Sequence, residues 1–231
     1  MSSNNIYINF NDLEFITNTI NNHNYLKTLS FIPNFNNEYN LILINDITKY
    51  NEELKVNSTI THLNIYYVLT ELSHNLCLLH NITKPFNLNL SNLNKFEYYI
   101  SQDIKSLFEK NMPIMNLNLS NNLFLNNLFD KYELFKNTTT LTSLDISDNQ
   151  LCNIMTICNI VKNNQQLYEL NISYNKYDSQ TDLYQLFKIL KENKTINKLI
   201  IYGRSRPDTS NILYSLISIL QMQNPNINVI Y

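Results

Sequence analysis

A repeated frame of apolar residues in the second half of the chain constrains the fold more than any other feature. The frame is an apolar residue, two free positions, Leu, one free position, Ile, two further free positions and Asn. It is filled by Leu141, Leu144, Ile146 and Asn149, and again by Leu167, Leu170, Ile172 and Asn175. A pattern that returns at a fixed period indicates one supersecondary unit stacked many times, because each unit buries its apolar face against its neighbours.

The same frame extends over most of the 231 residues. Its central Leu or Ile falls at positions 29, 63, 88, 117, 144, 170, 199 and 230, which lie 25–34 residues apart. The third frame is degenerate because Pro85 takes its first apolar position, and the last is a half frame formed by Ile227 and Ile230. Spacings of this length leave room for an α-helix between successive strands.

The segments between the frames carry a helical pattern. Apolar residues recur three and four positions apart in residues 67–80, 95–110, 153–163, 181–193 and 209–222, and a further helix is expected over 46–56. Residues 11–22 have the same spacing, and we expect them to cover the open end of the first repeat. The sequence therefore predicts a single domain over 1–231, with a helical N-terminal cap over 1–24 and repeats over 25–231, the last of them truncated.

These features resemble the long, helix-containing class of leucine-rich repeat proteins, the class of ribonuclease inhibitor. The resemblance rests on residues 137–149, 164–175 and 193–203 and on the helical segment before each, and it covers most of residues 22–231. It implies an α/β horseshoe solenoid of about seven to eight repeats, with a parallel β-sheet on the concave side and α-helices on the convex side. Element spacing leads to the same expectation, because strands stack about 4.8 Å apart whereas helices need about 8–10 Å.

Composition and charge exclude several classes of partner. The formal net charge is −2 and the pI is about 6.1, whereas nucleic-acid binding requires a basic surface to neutralise phosphates. No apolar run approaches the about 20 residues of a membrane helix, and the N-terminal residues lack the pattern of a signal peptide. We therefore expect a cytoplasmic, monomeric protein with neither nucleic acid nor membrane as a partner.

We also expect no enzymatic activity, no cofactor and no metal. A chain with one Gly cannot form a Gly-rich phosphate loop. Cys77, Cys152 and Cys158 lack the spacing of a zinc site and are expected to be reduced and mostly buried. Asp145 and Asp148 are the nearest approach to a metal pair, but the pattern offers no third ligand.

The 43 Asn residues are expected to have more than one origin, with the codon usage of an A+T-rich genome supplying most of them. The Asn at the end of the frame, at positions 34, 122, 149 and 175, is predicted to hydrogen-bond backbone groups where the strand turns away. By contrast, the seven Asn-x-Ser/Thr triplets are attributed mostly to chance, since about one residue in five is Asn.

Strand alternation predicts which side chains face away from the apolar interior. The first outward column is Thr28, His62, Asn87, Asn116, Ser143, Glu169 and Lys198. The second is Ser30, Asn64, Asn89, Asn118, Asp145, Asn171 and Ile200. The third is Ile32, Tyr66, Ser91, Ser120, Ser147, Ser173 and Tyr202.

These columns supply the candidate partner-binding residues, which are His62, Asn64, Tyr66, Asn89, Asn116, Asn118, Asp145, Glu169, Asn171, Lys198 and Tyr202. Together the columns hold 21 side chains, close to the about 20–30 that one partner contributes to a standard protein interface. Tyr66 and Tyr202 are candidate anchors because Tyr is enriched at interfaces. Two other interpretations remain open: the tyrosines cover strand ends, and codon usage fills the exposed positions with Asn.

The loop over 203–208 contains the single Gly and both Arg residues of the chain. Arg204 and Arg206 flank Ser205, and two guanidinium groups can hold a carboxylate or a phosphate. The other interpretation is a solvated turn.

The absence of a catalytic pattern favours a non-enzymatic module that binds another protein through the concave face and the adjacent loops. Two alternatives remain. Long leucine-rich repeats resemble the Ran GTPase-activating proteins, although this chain lacks an acidic tail. The third possibility is the substrate-recognition subunit of a ubiquitin ligase, although the first 25 residues contain no F-box-like LPxE stretch.

Overall fold

A computed structural model describes residues 5–8, 28–31, 61–65, 84–93, 105, 108, 112–122, 135, 138–177, 180–203 and 207–231. The chain divides into two compact units, Met1–Leu117 and Asn118–Tyr231. Both contain parallel strands, and the three helices of the described residues lie in the second unit, so the architecture is α/β.

In the first unit, the strands are β1 (Asn5–Ile8), β2 (Thr28–Phe31), β3 (His62–Ile65), β4 (Phe86–Asn89) and β5 (Ile114–Asn118). Strand β1 pairs with β2, β2 with β3 and β3 with β4, all in parallel. The frame positions align, since Leu29 lies opposite Leu63, and Leu63 opposite Leu88. The predicted register of these central aliphatic residues is therefore confirmed.

Strand β1 lies within residues 1–24, for which the sequence predicts a helical cap, and before the helix predicted over 11–22. Ile6 lies opposite Leu29 and Ile8 opposite Phe31, so residues 5–8 form a strand of the sheet. The alternation of Ile6 and Ile8 matches that of the β2 residues, and pairing satisfies the backbone groups of the β2 edge. The helix expected over 11–22 lies outside the described residues, as do those over 46–56 and 67–80 and most of the segment 95–110.

In the second unit, β6 (Ser143–Asp145), β7 (Glu169–Asn171), β8 (Lys198–Ile200) and β9 (Asn228–Ile230) pair in parallel in chain order. Leu144, Leu170 and Leu199 lie side by side and are fully buried, while the residues on either side of each are half-buried. One side of each strand thus builds the core, and the other side stays partly exposed.

The three helices are α1 (Ile154–Asn163), α2 (Gln180–Glu192) and α3 (Pro207–Gln223), and they confirm the predictions over 153–163, 181–193 and 209–222. Asn153 caps α1 by accepting the backbone N–H of Met155 at 3.0 Å. The helices pack in sequence, α1 against α2 and α2 against α3.

The last strand lies one residue away from its predicted register. Val229, not Ile230, lies opposite Leu199, and Ile230 lies opposite Ile200. A shift of one residue exchanges the two faces of a strand, so Val229 is buried and Ile230 is only half-buried. The cause is a shorter connection, because Val229 follows Asn224 by five positions whereas Leu199 follows Asn193 by six.

A ladder of buried Asn side chains runs beside the sheet of the second unit, through Asn122, Asn149 and Asn175. The Oδ1 of Asn149 accepts the N–H of Asn122 at 2.6 Å, and the Oδ1 of Asn175 accepts the N–H of Asn149 at 3.0 Å. Their Nδ2 groups donate back to strand-end carbonyls, as from Asn149 to Leu119 at 3.0 Å. These residues confirm the prediction that the frame Asn satisfies backbone groups; Asn34 lies outside the described residues.

A second series of Asn, absent from the sequence-based expectations, follows the helices directly. Asn164, Asn193 and Asn224 each come one residue after α1, α2 and α3. Asn164 Nδ2 donates to Ile160 O at 2.9 Å, and Asn224 Nδ2 donates to Leu190 O in the preceding helix at 3.1 Å. The side chains of the second series therefore add hydrogen-bond donors to carbonyls near the C-termini of the helices.

Candidate functional site

In the second unit, we call the outward side chains Ser143, Asp145, Glu169, Asn171 and Lys198 the polar face. They lie on β6, β7 and β8 and are all half-buried. Glu169 and Lys198 are opposite each other and form an ion pair of 2.8 Å, with about a third of each side chain exposed. Ile200 adds one half-buried apolar side chain at the end of β8.

The second outward column is fixed by local hydrogen bonds. In four successive strands the side-chain Oδ1 accepts the backbone N–H two residues later: Asn89 from Ser91, Asn118 from Ser120, Asp145 from Ser147 and Asn171 from Ser173, at 2.9–3.1 Å. This is the Asx turn that ends each strand. The first residues of the triplets at Asn89, Asn118 and Asn171 thus hold the ends of their strands through the side-chain amide oxygen.

Neighbouring strands also bond to each other across the polar face. Asn171 Nδ2 donates to Asp145 Oδ2 at 2.9 Å, and Ser147 Oγ donates to Asp145 Oδ1 at 2.6 Å. Both carboxylate oxygens of Asp145 are thus engaged by protein donors. Within the described ranges, no three His, Cys, Asp or Glu side chains are grouped closely enough to hold a metal ion.

In the first unit, three outward side chains form a hydrogen-bonded chain. Asn116 Nδ2 donates to Asn87 Oδ1 at 2.6 Å, and Asn87 Nδ2 lies 2.7 Å from His62 Nε2. Thr61 Oγ1 lies 2.9 Å from Nδ1 of His62, so both ring nitrogens of His62 have a polar neighbour. His62 is exposed, and Asn64 lies on the same strand, opposite Asn89.

The third column departs from the prediction. Ser91 and Ser173 are 5% and 1% exposed, so they do not belong to an outward surface. The Asx turns that begin at Asn89 and Asn171 end the alternation of the strand at these serines. Ser173 Oγ also accepts the N–H of Tyr202 at 3.0 Å. Tyr202 is 38% exposed, as expected for an outward residue. Tyr66, Arg204 and Arg206 lie outside the described residues.

Tyr202 stacks on a residue that the sequence analysis did not select. The rings of Tyr174 and Tyr202 are 5.9 Å apart between centroids and inclined by 14°. The N–H of Tyr174 donates to the carbonyl of Tyr202 at 2.8 Å, which holds the two residues together. Both rings are well exposed, Tyr174 to 45%. We call these two residues the tyrosine pair.

The backbone of Tyr174 is in the left-handed region, with φ of 58°. Equivalent turns place Asn92, Asn121 and Asp148 there, at 64°, 54° and 51°. Asn and Asp tolerate this conformation, whereas a bulky side chain is an outlier. An alignment of the turn sequences after each strand would have singled out Tyr174 as unusual, because the equivalent turns have Asn or Asp at that position.

Two side chains with a buried acid group have perturbed pKa values. Cys158 in α1 is fully buried, and this burial raises the pKa of its thiol. Burial likewise raises the pKa of Tyr177, whose hydroxyl has no hydrogen-bond partner among the described residues. Cys152 is exposed, so the expectation of mostly buried thiols holds for Cys158 and fails for Cys152; Cys77 lies outside the described residues.

None of the helices α1–α3 combines the length and apolar content needed to cross a bilayer.

Comparisons with known proteins leave the function open. No family model and no curated protein matches the chain. A solved structure described as "Leiomodin-1 Actin-Binding Site 2 (ABS2)" aligns with 93% of this chain and 94% of its own, at 14% identity and a TM-score of 0.26. A likeness at that score supports no conclusion about fold or function.

Proposed function

We propose that the chain is a leucine-rich repeat solenoid of the long, helix-containing class, and that it is a non-enzymatic module that binds a protein through the outward side of its sheet. The horseshoe shape belongs to this proposal. It is supported by the parallel register of the frame residues, the helix after each of β6, β7 and β8, and the buried Asn ladder.

The observation that carries the binding proposal is the state of the polar face. Its side chains are half-buried, and those of Asp145, Glu169, Asn171 and Lys198 are already held by hydrogen bonds to one another or to the backbone. Ordering a free side chain at an interface costs about 0.5–1.5 kcal/mol. A face whose side chains are fixed in advance avoids much of that cost, and its donors and acceptors keep one arrangement for a partner to match.

The chemistry of the face favours a protein partner over a small substrate. The described outward groups are amides, hydroxyls, the Asp145 carboxylate and one ion pair spread over adjacent strands, with exposed tyrosines just after β7 and β8. This combination of polar groups and aromatic anchors is typical of protein interfaces.

A charge exchange on the polar face tests the proposal. In the double variant Glu169→Lys with Lys198→Glu, the ion pair and the fold should persist while the charges facing a partner are reversed. The matched control reverses Lys188 and Glu192, two exposed residues one turn apart on α2. Proteins captured by the wild-type chain from its native cells should be retained by the control and lost with the face variant.

The proposal fails if the captured proteins are the same for all three baits. Circular dichroism and urea unfolding of each bait separate a loss of binding from a loss of fold.

A further inference from the structure

We propose that the outer side of α1–α3 docks on an anionic lipid bilayer, with lysine side chains on the headgroups and two apolar side chains of α3 in the interface. The residues that carry this site are called the outer patch, and they are Lys162, Lys191, Lys194, Ile219 and Met222. The outer patch is separate from the polar face and is not part of the proposed function.

The Asn residue that follows each helix gives a common reference for comparing the three helices. The backbone N–H groups of Asn164, Asn193 and Asn224 each donate to the carbonyl four residues earlier, at 2.7–3.1 Å. The positions two and five residues before this Asn are exposed in all three helices. The first position is filled by Lys162, Lys191 and Met222, and the second by Asn159, Lys188 and Ile219. Helix α3 therefore has apolar side chains where α1 and α2 have polar ones.

The two apolar side chains of the outer patch do not serve the core. Helix α3 already buries Leu216, Ile217 and Leu220, whereas Ile219 is 46% exposed and Met222 is 76% exposed. They are three residues apart, so they are neighbours on one face of the helix. Exposed apolar side chains that are contiguous indicate an interaction surface, whereas scattered ones are ordinary.

The apolar pair also lies away from the side on which one helix packs against the next. Val161 and Leu190 are buried in helices that have a following helix as neighbour, and the equivalent Gln221 of α3 is exposed. Phe187 is buried likewise, and its equivalent in α3 is the exposed Ser218. The apolar pair is turned from this polar side by about 100°, the angle of one residue along a helix. A further helix in the same stack would not cover it.

The local charge around the apolar pair is positive. In the last two turns of the helices and the loops just after them, the charged residues are Lys162, Lys188, Lys191, Glu192 and Lys194. Lys188 and Glu192 are one turn apart on α2 and cancel in net charge, which leaves three ammonium groups. Asp182 and Asp208 are in the first turns of α2 and α3, at the other end of these helices.

The charge of the whole chain conceals this difference. Residues 150–231 contain eight Lys or Arg and five Asp or Glu, a net charge of +3 within a chain of −2, and this count includes Arg204 and Arg206. The expectation that no membrane is a partner rests on the net charge of the whole chain and on the lack of a spanning segment. Neither property describes a local docking surface.

The three ammonium groups are available to an anionic partner. Within the described part of the chain, Lys162, Lys191 and Lys194 form no ion pair, and the ion pair found there joins Lys198 to Glu169. Lysine stems can lie along an apolar layer while their ammonium groups reach phosphates above it. Three such cations beside two exposed apolar groups complement an anionic bilayer in both charge and apolar character.

The protrusion of the apolar pair favours a bilayer over an acidic helix of a partner protein. An amphipathic helix docks in a groove whose walls enclose its apolar side chains. In the outer patch the apolar side chains stand outward instead, and Met222 is about three-quarters exposed. A bilayer interface accepts a protruding apolar side chain without a matching pocket, and one plane can meet helices that lie side by side.

Vesicle sedimentation with the full chain tests the proposal. The probes are vesicles of phosphatidylcholine alone and vesicles that also contain about 30% phosphatidylserine. We expect the chain to sediment with the phosphatidylserine vesicles and to stay in solution with the others. Raising the salt from about 0.1 M to about 1 M shortens the screening length from about 10 Å to about 3 Å, so most of the bound chain should be released.

A lysine variant tests the charge of the outer patch. Lys191→Gln should weaken binding to the phosphatidylserine vesicles about fivefold, the usual contribution of one Lys close to an anionic surface. Lys176→Gln is the matched control, because this exposed Lys follows β7 at the edge of the sheet opposite to the helix C-termini. It should change binding less than about twofold, since the screening length is about 10 Å.

A second variant tests the apolar pair. Ile219→Asn combined with Met222→Gln replaces two exposed side chains by polar ones, so circular dichroism should show the fold unchanged. Binding to the phosphatidylserine vesicles should weaken about tenfold. Tyr214→Gln is the control, because Tyr214 is 52% exposed on a different side of α3 and nearer its other end. This control should bind like the wild type.

The proposal is overturned if the chain does not sediment with phosphatidylserine vesicles, or if phosphatidylcholine vesicles bind it equally well. It is also overturned if either control weakens binding as much as its patch variant. A synthetic helix with Leu at helical spacing and Glu between them is the last probe. If this peptide binds the wild type and not the Ile219 and Met222 variant, while the vesicles bind neither, the outer patch belongs to a protein partner and the proposal is wrong.

Discussion

Asn149 and Asn175 are joined through the backbone: the side-chain oxygen of Asn175 accepts the N–H of Asn149 at 3.0 Å, and both residues are buried. The same oxygen accepts the N–H of Leu151 at 3.0 Å. One amide thus ties its own repeat to the turn of the preceding one.

We predict that Asn149→Leu destabilises the second unit. The change removes the acceptor for the N–H of Asn122 and the donor for the carbonyls of Leu119 and Ser147. A buried polar group without a partner costs about 1–3 kcal/mol, so we expect a loss of at least about 3 kcal/mol in the free energy of unfolding, measured in urea. Asn159→Ala, at an exposed position of α1, is the matched control and should change stability by less than about 0.5 kcal/mol. Equal effects of the two changes would contradict a structural role for the ladder.

A double-mutant cycle should detect the stacking of Tyr174 on Tyr202. With Tyr202→Ser already present, Tyr174→Asn should raise the free energy of unfolding by about 1 kcal/mol, because Asn tolerates positive φ. In the wild-type background the gain should be smaller by the stacking contribution, about 0.5–1.5 kcal/mol. A coupling energy of zero in chemical denaturation would show that the ring contact contributes nothing.

Thiol reactivity should separate the two described cysteines. In a Cys77→Ser background, a thiol reagent such as DTNB should modify Cys152 rapidly and Cys158 only on unfolding, since Cys158 is fully buried. The pKa of the Cys158 thiol is raised above its ordinary 9.0 by burial, so the unfolded chain releases this proton first as the pH rises. The contribution to stability is complete below about pH 9 and is lost above it. Rapid modification of both thiols in the native protein would contradict this burial.

Tyr177→Phe should stabilise the protein. The hydroxyl of Tyr177 is buried with no hydrogen-bond partner among the described residues, and removing it relieves the cost of desolvation. We expect a gain of about 1 kcal/mol in thermal or urea unfolding. Tyr184→Phe, at an exposed position, should have almost no effect. A loss of stability in Tyr177→Phe would show that the hydroxyl is satisfied in solution.

Local patterns were sufficient for most of the described elements and their registers. The spacing of Leu144 and Leu170 predicted two adjacent parallel strands, and the three- and four-residue periodicity of 153–163 and 181–193 predicted the helices between strands. These signals succeed because burial on one face imposes its period on consecutive residues. The register of Ile230 was wrong because the length of the preceding turn, and not the strand pattern, sets which residue enters the core.

The candidate site was only partly predictable. Glu169, Lys198 and Tyr202 follow from alternation along a strand, and the structure places them where alternation does. Their partners do not follow from it, because the bond from Asn171 to Asp145 joins residues 26 positions apart. Tyr174 was missed for a related reason: its significance depends on a left-handed turn and on a ring supplied by the next repeat.

Apolar periodicity along the chain was thus enough to establish strands, helices and an inward side, since each depends on residues close in sequence. Packing of one repeat on the next decided which Asn residues became internal hydrogen-bond donors, which serines were enclosed and which two tyrosines stacked. The reason is distance. Hydrogen bonds and ring contacts act over a few ångströms between groups that are about 24–34 residues apart in the chain, and only the folded stack brings those groups within reach.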